Sequence, residues 1–145
     1  MATTTFSGPM KVGTVREGAG TNTGNVVLSQ SATIGFADTP DPTSAVATTI
    51  VLPANAEIVE QYFTVTEVWN STSPVGEIGT LADPDAYGDI ANPAALGRTT
   101  VSPDDTQAVA LLDVGTSDVT VYATVTQTGV PSTGAATLTI TYRQV

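Results

Sequence analysis

Two segments near the C-terminal end of the chain alternate strictly between apolar and polar residues, and this alternation restricts the fold more than any other feature. In VTVYATVT (119–126) and ATLTITYR (136–143), every second residue is apolar and the residues between them are mostly Thr. Successive side chains of a β-strand point to opposite faces, so a period of two predicts strands with one buried face. The connecting TGVPSTGA (128–135) supplies turn residues, which predicts that the two strands form an antiparallel hairpin.

The rest of the chain beyond residue 25 is also divided into strand-like runs by clusters of Gly, Pro, Asn and Asp. Their spacing of about ten to fifteen residues is typical of a β-sandwich or barrel. No segment shows convincing helical periodicity, so we predict an all-β, antiparallel fold. The predicted strands are Val26 to Phe36, Ala45 to Leu52, Glu57 to Trp69, Val75 to Thr80, Arg98 to Val101, Gln107 to Leu112, Val119 to Thr126 and Ala136 to Arg143.

One predicted strand, Glu57 to Trp69, changes phase along its length. Phe63 and Val65 share one face, whereas Val68 belongs to the other. An extra residue in one strand of a pair produces such a change, so we predict a β-bulge near Thr66.

The first 25 residues differ in composition from the rest of the chain. They are small, polar and rich in Gly, and they include Lys11 and Arg16, half of the four basic residues. This composition predicts an extended N-terminal arm over 1–25 with one short strand, Met10 to Arg16. The remaining residues, 26–145, are of a length that suits one domain with a single core.

The charge and composition exclude several classes of function. There are 14 acidic and four basic residues, a net charge of −10 and a pI near 4.1. Such a field disfavours binding to nucleic acid or anionic membranes. The chain has no Cys and no His, which removes disulfides, thiolate metal sites and the commonest general base. We therefore expect no enzyme and no cofactor, and the N-terminal sequence predicts a protein made in a cytoplasm without a signal peptide.

The segment GTLADPDAYGDIAN (79–92) gathers three aspartates, Asp83, Asp85 and Asp89. Its start resembles the order of an EF-hand loop, but Tyr87 occupies the fifth position and Ala94 the twelfth, where a bidentate Glu is required. An EF-hand is therefore excluded, while a looser metal site with oxygen ligands stays open.

Three other interpretations of these aspartates stay open as well. A pair of carboxylates could act as acid and base on a glycosidic bond, although no aromatic cleft accompanies them. Asp next to Pro or Gly is also common turn chemistry, so the segment could be a loop between strands. The interpretation we favour is a subunit contact, in which these aspartates meet Arg98 or Arg143 of a neighbouring copy.

Aromatic and threonine-rich positions raise two further alternatives. Trp69 and Tyr122 are candidates for exposed aromatic residues that would bind sugars, although a single Trp near a strand end is more often buried in the core or at an interface. The Thr-x-Thr rows could form an ice-binding surface, but their irregular spacing in the sequence favours ordinary β-propensity on a half-exposed face.

A resemblance to a known family rests on four segments, which are TFSGPMKVGTVREGAGTNTGNVVLSQ, TTIVLPANAEIVEQYFTVTEVWN, VGEIGTLADPDAYGDIAN and TLTITYRQV. Together they resemble the small capsid decoration, or cement, proteins of tailed bacteriophages. The resemblance implies a jelly-roll β-sandwich that binds the outer surface of the assembled capsid, often as a homotrimer, and stabilises the expanded shell. It implies the major capsid protein and further copies of the chain as partners, and the virion as its location.

Within that resemblance, the arm is the expected element for docking to the capsid or to a neighbouring subunit. Its candidate contact residues are Phe6, Met10, Lys11, Val12 and Arg16. An extended segment of this kind can add a strand to the edge of another sheet. The alternative within phage proteins is a head-fibre or receptor-binding domain that recognises carbohydrate.

Overall fold

The computed structural model describes residues 26–38, 45–70, 72–129 and 132–144, and this part of the chain is almost entirely β-structure. A short 3-10 helix, Phe36–Asp38, follows the first strand, and one α-helix, α1 (Asp105–Ala110), lies between the sixth and seventh. The strands are β1 (Val27–Gly35), β2 (Val46–Leu52), β3 (Ala56–Glu67), β4 (Thr72–Gly79), β5 (Gly88–Ile90), β6 (Gly97–Ser102), β7 (Val119–Thr128) and β8 (Ala135–Gln144).

The strand pairing is nested, as in a jelly roll. β1 pairs with β8, β2 with β7, β3 with β6 and β4 with β5, all antiparallel. Further pairs join these into two sheets, sheet A with the order β1-β8-β3-β6 and sheet B with the order β6-β5-β4-β7-β2. The fold is therefore an antiparallel, jelly-roll-like β-sandwich, and the predicted fold class is confirmed.

The two sheets meet at both sides of the sandwich, but by different means. On one side β6 passes from sheet A to sheet B, since Gly97 to Thr100 pair with β3, while Val101 and Ser102 pair with β5. On the other side the Gln30 amide of β1 donates to the Val51 carbonyl of β2 (2.7 Å) and accepts from the Val51 N–H (3.1 Å). A single side chain thus joins the two edge strands.

The core lies between the sheets and follows the alternation predicted from the sequence. In β8 the buried and half-buried positions alternate from Ala135 to Arg143, as expected for one buried face. Two aromatic residues, Phe63 and Trp69, are among the largest side chains that are fully buried. The other large, fully buried residues are Ile34, Ile50, Leu52, Ile78, Leu138, Ile140, Val121, Val125 and Pro93.

The predicted hairpin of the last two strands is wrong, although both strands are present. β7 pairs with β4 and β2 in sheet B, whereas β8 pairs with β3 and β1 in sheet A. The connection between them therefore crosses from one sheet to the other. Period-two alternation fixes which face of a strand is buried, but both strands bury a face in either arrangement, so the pattern does not identify the partner.

The predicted strand from Gln107 to Leu112 is also wrong, because its first four residues belong to α1 and its last two form a turn. Asp104 caps the helix, with its Oδ1 accepting from the N–H groups of Thr106 and Gln107 at 2.8 Å each. Gln107 Oε1 accepts in return from the Asp104 N–H at 2.7 Å, which completes a capping box. Within the described residues, no helix has the length and apolarity needed to cross a membrane.

The bulge predicted near Thr66 is confirmed. The register of β3 against β8 shifts between Val65 and Glu67, and a second shift occurs between Ile58 and Glu60. Each extra residue turns the following side chains to the other face, which explains the phase change seen in the sequence.

Candidate functional site

The outer face of sheet A carries an ordered array of hydroxyl groups, here named the hydroxyl face. The register places Ser31, Thr139, Tyr62 and Thr100 in one row across four strands. The Ser31 and Thr139 hydroxyl oxygens are hydrogen-bonded at 2.9 Å. The rows that looked irregular in the sequence are therefore in register across the sheet. The hydroxyl face consists of Ser29, Ser31, Thr33, Tyr62, Thr64, Thr100, Thr137, Thr139 and Thr141.

Both basic residues of the described chain lie on this same face, in different environments. Arg143 is paired across the strands with Glu57, at 2.6 Å from Nη2 and 2.8 Å from Nε to the same carboxylate oxygen. Arg98 is exposed, and its guanidinium lies over the Tyr62 ring, 4.1 Å from the centroid. Among the residues that the structure describes, Arg98 forms no ion pair.

The outer face of sheet B carries acidic residues instead. Glu77 of β4 lies directly opposite Asp89 of β5 on one side and Thr124 of β7 on the other. Thr124 is only 3% exposed, and its Oγ1 has no hydrogen-bond partner. We name Glu77, Asp89 and the neighbouring Asp83 and Asp85 the acidic patch.

The loop that carries Asp83 and Asp85 is held tightly against β4. A Cβ atom at Gly79 would lie 2.3 Å from the Asp83 carbonyl oxygen, so the backbone approaches at a distance that only Gly allows. The Thr80 N–H donates to the same carbonyl (2.8 Å), and the Gly88 N–H donates to that of Asp85 (2.9 Å). The aspartates therefore have fixed positions.

Two buried side chains from other elements support this loop. The Gln61 amide of β3 donates to the Tyr87 carbonyl inside the sandwich, where Tyr87 itself is buried. Gln107 of α1 donates to Asp85 Oδ2 at 3.4 Å. Burial raises the pKa of the Tyr87 hydroxyl, so it remains protonated and neutral near pH 7. The loop is thus anchored from the core and from the helix.

The carboxyl groups of the acidic patch are close enough to affect one another. Burial raises the pKa of Glu77, and the nearby charges of Asp85 and Asp89 raise it further. A hydrogen bond with Asp85 raises the pKa of Asp83. The carboxylates of the acidic patch therefore repel one another, and that of Glu77 is also partly desolvated. Both described basic residues lie on the opposite sheet.

The arrangement does not gather the three aspartates into a metal site. Within the described part of the chain, no group of three or more acidic residues has a geometry that could hold a metal ion. Asp83 and Asp85 belong to the loop, while Asp89 belongs to β5 and faces Glu77. The sequence analysis did not include Glu77 and Thr124 among the candidate residues. Both occupy outward positions of predicted strands, and this alternation could have identified them.

The two candidate exposed aromatics have different positions. Trp69 is 1% exposed and packs in the core, with its ring 6.0 Å from that of Phe63 and in close contact with Gly134. The expectation that Trp69 is exposed is therefore wrong, and the alternative of a buried Trp holds. Tyr122 lies half-buried on the outer face of sheet B, opposite Gly79. No aromatic platform is formed by these two residues.

The arm residues that the sequence singles out lie outside the described part of the chain. They are Phe6, Met10, Lys11, Val12 and Arg16. Of the predicted subunit-contact residues, Arg98 and the acidic residues are exposed, whereas Arg143 already has a partner in its own chain.

The fold is similar to that of chains in solved bacteriophage capsids. A chain of the cyanophage Pam1 capsid asymmetric unit matches with a TM-score of 0.61 and 15% identity, over 89% of this chain and 92% of that one. A chain of the acidic stable capsid structure of the Helicobacter pylori bacteriophage KHP30 matches with a TM-score of 0.56 and 19% identity, over 81% and 87%. A chain of the capsid of Ralstonia phage GP4 matches with a TM-score of 0.50 and 20% identity, over 83% and 85%.

These matches establish a shared fold at low sequence identity. No protein-family model matches the sequence, and no curated protein sequence is significantly similar to it.

Proposed function

We propose that this chain is a non-enzymatic structural protein of a bacteriophage virion, which binds the outer surface of the capsid and stabilises the expanded shell. The observation that carries this proposal is the structural similarity to chains of three phage capsids, which extends over more than four-fifths of the chain in each case. The partners would be the major capsid protein and further copies of the chain, assembled as a trimer.

Several properties of the chain support a structural role. It has no His and no Cys. The carboxylates of Glu77 and Asp89 lie on the outer face of a sheet, whereas a catalytic pair usually lies in a cleft that binds the substrate. The hydroxyl face presents nine hydroxyl-bearing side chains in register, which can form hydrogen bonds with another protein surface. A chain with net charge −10 is also suited to an outer surface that does not contact DNA.

The N-terminal arm is the proposed docking element for the shell. The first 25 residues lead directly into β1, which is the edge strand of sheet A. Lys11 and Arg16 place half of the basic residues of a strongly acidic protein in this segment. An extended, basic segment can add a strand to a neighbouring sheet and pair with acidic groups on the capsid.

Co-sedimentation with purified expanded capsids that lack the protein tests this proposal. The full chain is expected to sediment with the capsids to a saturating ratio, whereas the chain without residues 1–16 remains in the supernatant. A Lys11→Ala/Arg16→Ala variant serves as the matched control for charge alone; it should bind more weakly than the full chain at low salt, and its binding should change less as salt is added. Undiminished binding by the truncated chain would exclude the arm, and absence of binding by the full chain would overturn the proposed function.

The glycan-binding alternative is not favoured by the structure. Its two candidate aromatic residues do not form one surface, because Trp69 is buried in the core while Tyr122 lies on the outer face of sheet B.

A further inference from the structure

The acidic patch lacks a counter-charge among the residues that the structure describes. Of the 14 acidic residues, Glu17 and Asp41 lie outside the described part, which leaves 12 against two basic residues, Arg98 and Arg143. Both arginines belong to sheet A, whereas Glu77 and Asp89 face outward from sheet B. The two outer faces of a sandwich point away from each other, so neither arginine reaches the patch within one molecule.

A second observation concerns the hydrogen bonding of this surface. Thr124 lies on the outer face of sheet B, directly across from Glu77, yet it is 97% buried and its Oγ1 has no partner. Buried hydroxyl groups are nearly always hydrogen-bonded, so the polar groups of this surface are not all satisfied. Because the Thr124 oxygen is covered by its own chain, the accessible acceptors are the carboxylates beside it. Glu77 is partly desolvated and repelled by Asp85 and Asp89, so the surface fits a cation with several N–H donors.

Arg98 has the properties of the matching donor. It is exposed, it forms no ion pair among the described residues, and the Tyr62 ring holds its guanidinium at 4.1 Å. A guanidinium carries five donors in a rigid, planar arrangement, which suits several acceptors at once. Arg143 is less suitable, because its Nε and Nη2 already bind Oε2 of Glu57.

We propose that the acidic patch of one copy binds Arg98 of a neighbouring copy, so that the hydroxyl face of the second copy packs against sheet B of the first. The contact uses two different surfaces of each molecule and is therefore heterologous, which permits a closed ring of copies. It deepens the self-association part of the proposed function, since it names the surfaces of a trimer. The acidic residues on the outer face of sheet A are Glu60, Glu67 and Glu57, the last of which is paired with Arg143, so Arg98 is the cation that this face offers to the patch.

Charge reversal tests this contact in solution by sedimentation velocity, over concentrations from micromolar to millimolar. Arg98→Glu and Asp89→Arg alone should each raise the dissociation constant at least about 100-fold, because each places like charges opposite each other in a partly desolvated contact. The double variant Arg98→Glu/Asp89→Arg restores an opposite-charge pair between positions 98 and 89 and keeps the net charge of the wild type, while Glu77, Asp83 and Asp85 stay acidic. It should associate at least about tenfold more tightly than either single variant, which no effect of net charge would explain.

Asp113→Arg is the control, since it changes the net charge as Asp89→Arg does but lies exposed in the loop after α1, on neither sheet face. It should associate like the wild type, and thermal melts should show that all four variants are folded. A wild-type chain that stays monomeric throughout, single variants that associate normally, or a folded double variant that stays monomeric would each overturn the inference. Association that requires Ca²⁺ and is abolished by EDTA would assign a metal ion to the patch instead, and would overturn it too.

Sedimentation velocity measures self-association of the isolated chain and does not depend on capsid binding. A chain that associates through Arg98 but does not bind capsids would contradict the proposed function alone. A permanently monomeric chain that binds capsids would contradict this inference and the trimer of the proposed function, but not capsid binding.

Discussion

The two outer faces of the sandwich are built by the same alternation but differ in chemistry. The face of sheet A presents hydroxyl groups in register, together with both described arginines and three glutamates. The face of sheet B presents Glu77 and Asp89 beside the tightly folded loop of Asp83 and Asp85, and no described basic residue. The described basic residues therefore lie on one face only, and the proposed heterologous contact between copies would use this difference.

The largest effect is expected from a substitution that displaces the loop of the acidic patch. Gly79→Ala would place a Cβ atom 2.3 Å from the Asp83 carbonyl and 2.6 Å from the Ala86 nitrogen, both backbone atoms that the fold holds in place. We expect it to lower the free energy of unfolding by about 2–4 kcal/mol, measured by urea denaturation.

Gly35→Ala is the matched control for that substitution. The nearest atom to its added Cβ would be Asp38 Oδ2 at 3.5 Å, an ordinary contact, so its effect should stay within about 0.5 kcal/mol. Equal effects of the two substitutions would show that the loop does not depend on close approach at Gly79.

A second substitution compares a hydroxyl group from each face. Thr124→Val removes the buried, unpartnered Oγ1 of sheet B and keeps the shape of the side chain, so it should stabilise the monomer by about 1 kcal/mol. Thr139→Val removes a hydroxyl that is bonded to Ser31 on sheet A, and it should be neutral or slightly destabilising. Thermal denaturation of both variants at low concentration checks this, and destabilisation by Thr124→Val would mean that its hydroxyl has a partner in the folded monomer.

The smallest expected effect concerns pH. The pKa of Glu77 is raised in the folded chain, so folding takes up a proton as the pH falls from neutral through the raised pKa. The wild type should therefore gain stability in that range, relative to a Glu77→Gln variant, and the variant should be more stable at neutral pH by under about 1 kcal/mol. Urea denaturation from pH 7 to pH 4.5 measures the difference between the two, and a difference that does not change with pH would contradict this assignment.

Much of the fold follows from local patterns in the sequence. The alternation in β8 and the phase change in β3 predicted strands, faces and a bulge that the structure confirms, because burial depends directly on the period of two. The pairing of β7 and β8 in different sheets was not predictable in this way, because a strand pattern carries no information on its partner. The capping pair of Asp104 and Gln107 predicts the start of helix α1, but the sequence analysis considered only the apolar periodicity of this segment.

The acidic patch was predictable only in part. The aspartates of the loop are conspicuous in the sequence, whereas Glu77 and Thr124 join them through pairing between β5, β4 and β7. Such contacts depend on register, which local composition does not fix. The same holds for the hydroxyl face, whose rows become regular only when four strands lie side by side.

The most direct test of the central proposal is the location of the protein in the virion. Electron cryo-microscopy of phage particles produced with and without this chain should show added density on the outer capsid surface, with three-fold clusters into which the jelly roll fits. Particles without the chain should lose DNA at a lower temperature. Density inside the shell, density on the tail only, or identical particles in both preparations would contradict the proposal.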